Sequence, residues 1–380
     1  MIETPKSLRK SIVLVGRTNV GKSSLINALC GEDVAIVSEV AGTTTDAVGK
    51  AYEFLGLGPV MFYDTAGLDD KSSLGEKRKA AAEKIIKTAD LILVVTDKNE
   101  LDDWEQKFTE TLTTPYIAVH TKSDLRGSGV SSKSGEGLEE LRAQIIQKLT
   151  NKDENSILTN PDGTKLVSPK SKILLICPID KSAPKGRLIL PQVQVLRELL
   201  DIGAVATVVQ LEELPDALSS QKYDLIITDS KVVKEVVSAI PKEQPLTTFS
   251  VLFGRQKGDF QEFLEGAKKI DDLKDGDKVL IAEACSHTTA EDDIARQMLP
   301  KLLNTYTKKN LEFDIVSGRN FPDDLEKYAL VLHCGSCMLT PKETLTRIAE
   351  CKAKNVAITN YGLTISKCQG VLDRVTLTTS

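Results

Sequence analysis

The sequence contains no long apolar segment, and no window approaches the ~18 uninterrupted apolar residues that a membrane-spanning helix needs. Aromatic residues make up only 4% of the 380 residues, and the formal net charge is −5. Proteins that read nucleic acid depend on basic and stacking residues, so neither a membrane nor a nucleic acid is expected as a partner. The first residues lack the pattern of a signal peptide, which favours a cytoplasmic location.

Cysteine is also scarce, with seven residues in the chain. An odd number of cysteines without an export signal favours free thiols or metal ligands over disulfides. Hydrophobic residues make up 41% and charged residues 27%, which is typical of a globular protein. A chain of this length is expected to form about two to four domains.

Apolar runs alternate with helical patterns along the whole chain, which predicts an α/β fold with mainly parallel sheets. A polar segment with two prolines and a glycine, 151–172, is predicted to be a linker. It separates a first domain, 1–150, from two further α/β domains. These are predicted at 173–256 and 257–380, and the last strand of the middle domain is predicted at 247–252.

A nucleotide-binding loop follows the first predicted strand. Residues 16–23 read G-R-T-N-V-G-K-S, which fits G-x-x-x-x-G-K-[ST] between a strand and a helix. The glycines let backbone amides approach phosphates, and the start of the helix favours negative charge. Lys22 is predicted to contact the outer phosphates, and the Ser23 hydroxyl is predicted to bind magnesium. The first domain is therefore predicted to be a P-loop domain.

Two further segments complete the predicted phosphate and magnesium site. The sequence D-T-A-G begins at Asp64, which is expected to hold magnesium through water, and ends at Gly67, whose amide is expected to sense the outer phosphate. Residues 42–46, G-T-T-T-D, occupy the position of a first switch segment. Thr44 is the predicted magnesium ligand there, with its two neighbouring threonines as alternatives.

The base-reading motif comes later in the domain. Residues 121–124, T-K-S-D, are similar to the N-K-x-D guanine reader of GTPases, although Thr121 stands in place of the usual asparagine. Asp124 would accept the guanine N1 and N2 protons, and the Lys122 stem would pack along the base. Residues 131–133, S-S-K, resemble the S-A-K loop. The residues predicted to contact GTP are Gly16, Asn19, Val20, Gly21, Lys22, Ser23, Ser24, Asp64, Gly67, Thr121, Lys122, Asp124, Ser131, Ser132 and Lys133.

The catalytic mechanism is predicted to differ from that of Ras-like enzymes, since Leu68 stands where they place a water-orienting glutamine. Asn19 in the P-loop, together with A-G-T-T-T-D, resembles the Era/TrmE class of GTPases. In that class the asparagine helps to hold a potassium ion that replaces an arginine finger. The resemblance implies potassium activation, with Lys22, Asn19 and Gly67 as the catalytic residues.

Three cysteines and two histidines follow two predicted strands near the end of the chain. Strand ends in open α/β sheets gather at one edge, so these side chains are expected to converge. Three cysteines with one imidazole suit tetrahedral zinc, and three cysteines with a weak fourth ligand suit a 4Fe-4S cluster. The spacing does not choose between them. The predicted ligands are Cys285, His287, His333, Cys334 and Cys337. The other cysteines, Cys30, Cys177, Cys351 and Cys368, are expected to be buried apolar side chains.

The sequence C-x-H followed about forty-five residues later by H-C-x-x-C, behind an Era-like domain, resembles the HydF family of FeFe-hydrogenase maturases. The resemblance covers essentially the whole chain and includes residues 177–192, which are similar to the start of that family's dimerisation domain. It implies that Cys285, Cys334 and Cys337 ligate a 4Fe-4S cluster. The fourth position would be labile and filled by His287, His333, a nearby acid or an exogenous ligand.

The same resemblance implies the function. It predicts a homodimeric scaffold that receives a di-iron precursor, assembled with two radical-SAM maturases, and delivers it to apo-FeFe-hydrogenase. GTP hydrolysis would gate the partner contacts and would depend on magnesium and potassium. Two alternatives stay open: a ribosome- or tRNA-associated Era-like GTPase with structural zinc, and a redox enzyme whose C-x-x-C carries electrons.

Overall fold

The computed structural model describes most of the chain and divides it into two compact units, Met1–Lys152 and Asp153–Ser380. Each unit is considered by itself. Within the described residues, no helix is long and apolar enough to cross a membrane. The described residues are 9–31, 48–65, 82–126, 129–150, 156–160, 162–179, 186, 188–283, 294–318, 321–336 and 338–377.

The first unit is built on a five-stranded sheet in the order β2-β3-β1-β4-β5, in which only β2 runs antiparallel to its neighbour. Its strands are β1 Lys10–Gly16, β2 Val48–Phe54, β3 Gly58–Asp64, β4 Leu91–Thr96 and β5 Tyr116–His120. Its labelled helices are α1 Lys22–Cys30, α2 Asp103–Glu110, α3 Ser123–Arg126 and α4 Leu138–Leu149. The predicted P-loop α/β architecture of this unit is confirmed.

Both faces of this sheet are buried, as the continuous apolar sequence of β1 requires. Ile12 and Leu14 belong to the hydrophobic cluster on one face, and Val13 and Val15 belong to the cluster on the other. Alternate residues of a strand point to opposite faces, so a strand that is covered on both sides must be apolar throughout. Polar groups therefore reach solvent mainly at the ends of the strands.

The second unit contains two four-stranded parallel sheets, in the orders β7-β6-β8-β9 and β11-β10-β12-β13. The strands of the first sheet are β6 Lys172–Ile176, β7 Val205–Val209, β8 Leu225–Thr228 and β9 Leu246–Thr248. Those of the second are β10 Lys278–Glu283, β11 Glu312–Ser317, β12 Leu330–His333 and β13 Ala357–Asn360. The prediction of two further α/β segments with parallel sheets is confirmed.

Helices surround these two sheets and join them. The helices are α5 Leu190–Ile202, α6 Leu214–Ser220, α7 Val233–Ala239, α8 Phe249–Lys257, α9 Phe260–Lys268, α10 Leu299–Thr307, α11 Pro341–Ala353, α12 Tyr361–Cys368 and α13 Leu372–Val375. One hydrophobic cluster contains Leu174 and Ile226 of the first sheet together with Leu280 and Val331 of the second. The two sheets therefore share a core, and the predicted border at 256 stays a prediction.

The structure corrects one predicted strand and refines the predicted linker. The predicted strand 247–252 is wrong beyond Thr248, because α8 begins at Phe249 and the Thr248 hydroxyl accepts a hydrogen bond from the Val251 amide at 3.2 Å. The described part of the predicted linker is packed, with Ile157 and Leu158 buried in a core cluster. Their two amides donate to the Glu198 carboxylate of α5 at 2.9 and 3.0 Å.

Candidate functional site

The loop after β1 has the backbone conformation that a phosphate-binding loop needs. Gly16 lies against β4, where a Cβ atom would stand 2.2 Å from the Val95 carbonyl oxygen. Asn19 and Gly21 both adopt positive φ angles, 62° and 100°, before α1 begins at Lys22. Glycine and asparagine tolerate this left-handed region better than other residues. The loop therefore turns sharply, and the start of α1 follows directly after this turn.

The Lys22 side chain is folded over this loop. Its ammonium is almost fully buried and donates to the carbonyl oxygens of Gly16 at 3.1 Å and Arg17 at 2.7 Å. A lysine held in this way keeps a positive charge at the start of α1, where backbone amides also favour anions. The arrangement suits a polyphosphate.

The predicted magnesium ligands Ser23 and Asp64 are brought together. Strands β1 and β3 pair in parallel with Leu14 opposite Asp64, and the Ser23 hydroxyl donates a hydrogen bond to the Asp64 carboxylate. Thr65 holds the end of β3 in place by donating to the Leu14 carbonyl at 2.7 Å. A hydroxyl and a carboxylate are the hard oxygen donors that magnesium prefers. The other two predicted residues of this site, Thr44 and Gly67, lie outside the described residues.

Thr121 connects the base-reading segment to the P-loop. It is buried at the end of β5, and its hydroxyl lies 2.6 Å from the Val20 carbonyl and 3.1 Å from that of Thr96. The single hydroxyl proton is donated to the nearer acceptor, Val20. The threonine in place of asparagine therefore joins the predicted base-reading segment to the P-loop. Sequence reasoning identified the substitution but not this contact.

The remaining base-reading residues also lie together. The Ser131 hydroxyl is fully buried, lies 3.3 Å from Asp124 Oδ1 and accepts a hydrogen bond from the Ser134 amide at 3.1 Å. Lys122 adopts a φ of 63° and forms an ion pair with Asp97 at 3.0 Å. The Asp124 carboxylate is thus held next to the loop that begins at Ser131. The other two predicted loop residues, Ser132 and Lys133, are half-buried and exposed, and Ser24 at the start of α1 is exposed.

One contact of the P-loop was not foreseen from the sequence. The Arg17 guanidinium forms an ion pair with Asp102 at 2.7 Å and lies 5.3 Å above the ring of Trp104, the chain's single tryptophan. Asp102 caps α2 and also binds Lys98. Hydrogen bonds from Lys98 and from the Glu105 backbone lower the pKa of Asp102 well below its usual range. The sequence signal for this contact was the helix-capping pattern D-D-W-E at residues 102–105.

The second candidate site lies at the end of β12 in the second unit. Strands β10 and β12 pair in parallel with Ala282 opposite His333, and the Cys334 amide donates to the Ala282 carbonyl at 3.0 Å. Cys334 is half-buried. Cys285, His287 and Cys337 lie outside the described residues. In the parts of the chain that the structure describes, no three His, Cys, Asp or Glu side chains form a metal-binding group.

His333 is fully buried, and both of its ring nitrogens have partners. Nδ1 donates to the Cys334 carbonyl at 2.9 Å, so Nε2 accepts the hydrogen bond from the Arg347 guanidinium at 3.1 Å. Burial and then the charge of Arg347 lower the pKa of His333 to about 3. The ring is therefore neutral with its proton on Nδ1, and the prediction that it supplies a fourth metal ligand stays a prediction.

The other four cysteines behave as apolar side chains, as predicted. Cys30, Cys177 and Cys351 are buried, and Cys368 is half-buried against a core cluster. Burial raises the pKa of Cys30 to about 11 and that of the other three to about 12. Such thiols stay protonated at neutral pH and are poor metal ligands.

Three family models match the chain. Residues 11–122 match the 50S ribosome-binding GTPase model, residues 164–258 match the hydrogen maturase F dimerization domain, and residues 261–377 match the hydrogen maturase F tetramerization domain. The two hydrogen maturase F models together span more than half of the chain.

Curated relatives match a smaller part. The tRNA modification GTPase MnmE of Bordetella avium is 43% identical over 152 residues, which covers 36% of this chain and 33% of the relative. The protein of the same name from Neisseria gonorrhoeae is 39% identical over 158 residues, covering 36% and 34%. The chain spans about a third of the length of the curated relatives it matches.

Solved structures match a similar share of the chain. A variant of Aquifex aeolicus Era bound to GDP and AlF4− has 25% identity and a TM-score of 0.32, covering 37% of this chain and 57% of that one. The G domain of the FeoB iron transporter of T. maritima has 24% identity and a TM-score of 0.28, covering 37% and 98%.

We expect the variant Thr121→Val to bind guanine nucleotide roughly tenfold more weakly. The isosteric side chain leaves the buried Val20 carbonyl without its donor, which costs on the order of 1–3 kcal/mol. Affinity is measured with a fluorescent GDP analogue. The matched control is Thr109→Val, whose hydroxyl donates only to Gln106 of its own helix at 2.7 Å. Thr121→Asn should keep the affinity, and an unchanged affinity in Thr121→Val would contradict the linking role.

Proposed function

Because the chain belongs to the hydrogen maturase F family, we propose that it is a GTP-hydrolysing scaffold for metallocluster assembly. It holds a 4Fe-4S cluster, receives a di-iron precursor and delivers that precursor to apo-FeFe-hydrogenase. The GTPase assignment is supported by the matched GTPase model and by the P-loop geometry around Lys22. The cluster and its delivery are the parts that need a test.

The observation that carries the proposal is the position of Cys334. It stands at the carboxyl end of β12, and its backbone is hydrogen-bonded to the neighbouring strand β10 at Ala282. In the sequence, Cys285 follows the end of β10 by two residues and Cys337 follows Ser336. Since consecutive Cα atoms are only about 3.8 Å apart, this spacing supports the proposal that the three cysteines act at one edge of one sheet.

The chemistry of this edge fits an iron–sulfur cluster. Thiolates are the usual ligands of such clusters, and Cys334 is half-buried, unlike the deeply buried Cys351. Burial lowers the pKa of the nearby Arg347, and negative charge at Cys334 raises it again. When bound by three thiolates, the cluster would offer one iron with an open position for an incoming metal fragment.

The nucleotide residues have separate proposed roles. Lys22 binds the outer phosphates, Ser23 and Asp64 hold magnesium, and Asp124 selects guanine. The segments 42–46 and 67–75 are the proposed switches, since their contacts would differ between GTP and GDP. GTP turnover would then change the surface that partners meet, and Gly67 would report the outer phosphate.

Potassium is a proposed activator that acts through Asn19. This side chain is exposed in the P-loop and its backbone is left-handed, so it could serve as a ligand or only as a turn residue. Arg17 in the same loop is paired with Asp102. A bound potassium ion would supply positive charge where Ras-like enzymes use an arginine finger.

A homodimer is proposed to form along β7. This strand is at the edge of its sheet, and Val205 and Val208 are 51% and 41% exposed. Val193 and Leu200 of α5, the helix that packs beside β7, are also exposed. Two copies that pair antiparallel at this edge would satisfy its open backbone groups and cover the valines. The matched dimerization domain, 164–258, includes β7 and α5.

The proposed partners are the apo-hydrogenase and the two radical-SAM maturases, in the cytoplasm. The alternative is a ribosome- or tRNA-associated GTPase with structural zinc, and the tRNA modification relatives that support it match 36% of the chain. The cysteines lie in the range of a hydrogen maturase F model instead. The position of the cysteines within this family model therefore favours the maturation role.

Anaerobic reconstitution with iron and sulfide should load about four iron atoms per chain and give an EPR signal on reduction. The variants Cys285→Ser, Cys334→Ser and Cys337→Ser should each lose most of this iron, because every thiolate is a ligand. Cys368→Ser, a half-buried cysteine away from the strand ends, is the matched control and should load normally. Stoichiometric zinc with no iron uptake would end the cluster proposal and favour the alternative.

The potassium proposal is tested with Asn19→Gly. Glycine adopts the left-handed backbone freely, so this variant removes the carboxamide without straining the loop. Wild-type protein should hydrolyse GTP at least about tenfold faster in potassium than in sodium, a gain smaller than the roughly 10³–10⁵ that an arginine finger supplies. The variant should lose this difference and still bind GDP. Equal rates of the wild-type protein in both salts would rule out potassium activation.

The dimer proposal is tested with Val208→Lys, measured by analytical ultracentrifugation. A lysine in the middle of an edge strand opposes pairing, so the dissociation constant should rise by about a hundredfold or more. Leu345→Lys, an exposed apolar residue on α11 that is 44% exposed, is the matched control and should leave association unchanged. A Val208→Lys variant that stays dimeric would place the interface elsewhere.

A further inference from the structure

Lys257, the last residue of α8, is buried beneath the segment that carries the second pair of predicted cysteine ligands. Its side chain is only 3% exposed. The ammonium donates to the carbonyl oxygens of Ser336 and Leu339, each at 3.0 Å, and lies 5.5 Å from the ring of Phe253. These two carbonyls stand on either side of Cys337 in the sequence. The Lys257 ammonium thus holds together the two ends of the turn that follows β12.

Arg347 of α11 holds the other end of the same segment. Its guanidinium is buried, donates to His333 Nε2 at 3.1 Å and to the Gly318 carbonyl at 2.6 Å, and lies 5.0 Å from the ring of Phe321. His333 in turn donates to the carbonyl of Cys334. Arg347 therefore fixes the orientation of the residue that precedes the first cysteine of the C-x-x-C sequence.

Both cations bind neutral acceptors in these contacts, a ring nitrogen and three backbone carbonyls. Burying a cation is unfavourable, and carbonyl contacts solvate the charge without neutralising it. Among the described residues, Arg347 donates hydrogen bonds only to neutral acceptors, although the charges of Glu343 and Glu350 act to raise its pKa against burial. A negative group next to the segment would complement the charge of Arg347, and a cluster ligated by three thiolates is such a group.

We propose that Lys257 and Arg347 are positioning residues that clamp the segment 333–339 and supply its positive potential. This inference rests on the proposed cluster function. Lys257 lies in the range of the dimerization model and the segment lies in the range of the tetramerization model. The clamp therefore links the two parts of the second unit at the cysteines.

Two effects follow from the clamp. The first is mechanical, since the hydrogen bonds restrict the backbone on both sides of Cys337. The second is electrostatic, since reduction makes a three-thiolate cluster more negative and nearby cations stabilise the reduced form. Loss of either cation should therefore loosen the segment and lower the midpoint potential of the cluster.

The test uses three variants of the full chain. Lys257→Met removes the charge and keeps the length of the side chain, and Arg347→Gln removes the charge but keeps an amide donor for His333. Lys352→Met is the matched control, because Lys352 is an exposed lysine that pairs only with Glu262 on the surface. Folding is checked by thermal unfolding before either measurement.

The first measurement is amide hydrogen exchange of residues 334–339 in protein without iron. Exchange in Lys257→Met should be about tenfold faster than in wild type, since two hydrogen bonds are lost. The second is an EPR-monitored redox titration after anaerobic reconstitution. At a fixed potential near the midpoint, the ratio of reduced to oxidised cluster should fall at least about threefold in Lys257→Met and in Arg347→Gln.

The outcomes separate this inference from the proposed function. If wild-type protein binds no iron, the cluster function fails, and hydrogen exchange alone decides whether the clamp exists. Unchanged exchange in Lys257→Met, or an unchanged potential in both variants of a loaded protein, overturns the inference. An equal shift in Lys352→Met also overturns it, because the effect would then follow net charge only. If Lys257→Met does not fold, Arg347→Gln decides by the same criteria.

Discussion

Parallel pairing places the carboxyl ends of neighbouring strands at one edge of a sheet, and both candidate sites depend on this constraint. In the first unit, β1 and β3 pair in this way, so the loop after Gly16 lies beside the carboxylate of Asp64. In the second unit, β10 and β12 pair likewise, and Cys334 is hydrogen-bonded to Ala282. Because both faces of such sheets are buried, polar chemistry is confined to the strand ends.

Buried polar side chains hold the loops at these edges. The Thr121 hydroxyl reaches from β5 to the P-loop carbonyl of Val20, and the Lys257 ammonium reaches from α8 to two carbonyls of the cysteine segment. A buried carbonyl oxygen needs a hydrogen-bond donor, and a loop carbonyl has no neighbouring strand whose amide could serve as that donor. In each case one side chain from another element supplies the donor and sets the shape of the loop.

Much of the fold could be predicted because a strand buried on both faces is apolar throughout. The runs at β1, β4 and β10 were found in this way. The edge strand β2 was missed, since its sequence V-G-K-A-Y-E-F mixes apolar, charged and glycine residues. The strand predicted at 247–252 was wrong beyond Thr248, since a short apolar run suits a buried helix equally well and the threonine cap decides between them.

Local spacing in the sequence is enough to identify the nucleotide loop, the aspartate predicted to read guanine and the cysteine pattern, because each needs particular residue types at fixed positions. Three contacts became visible only in the folded chain: Thr121 joins the P-loop, both nitrogens of His333 have partners, and Lys257 donates to the carbonyls of Ser336 and Leu339. Thr121 and Val20 are 101 positions apart, and Lys257 and Ser336 are 79 apart. Such contacts depend on strand order and helix packing, which local spacing does not record.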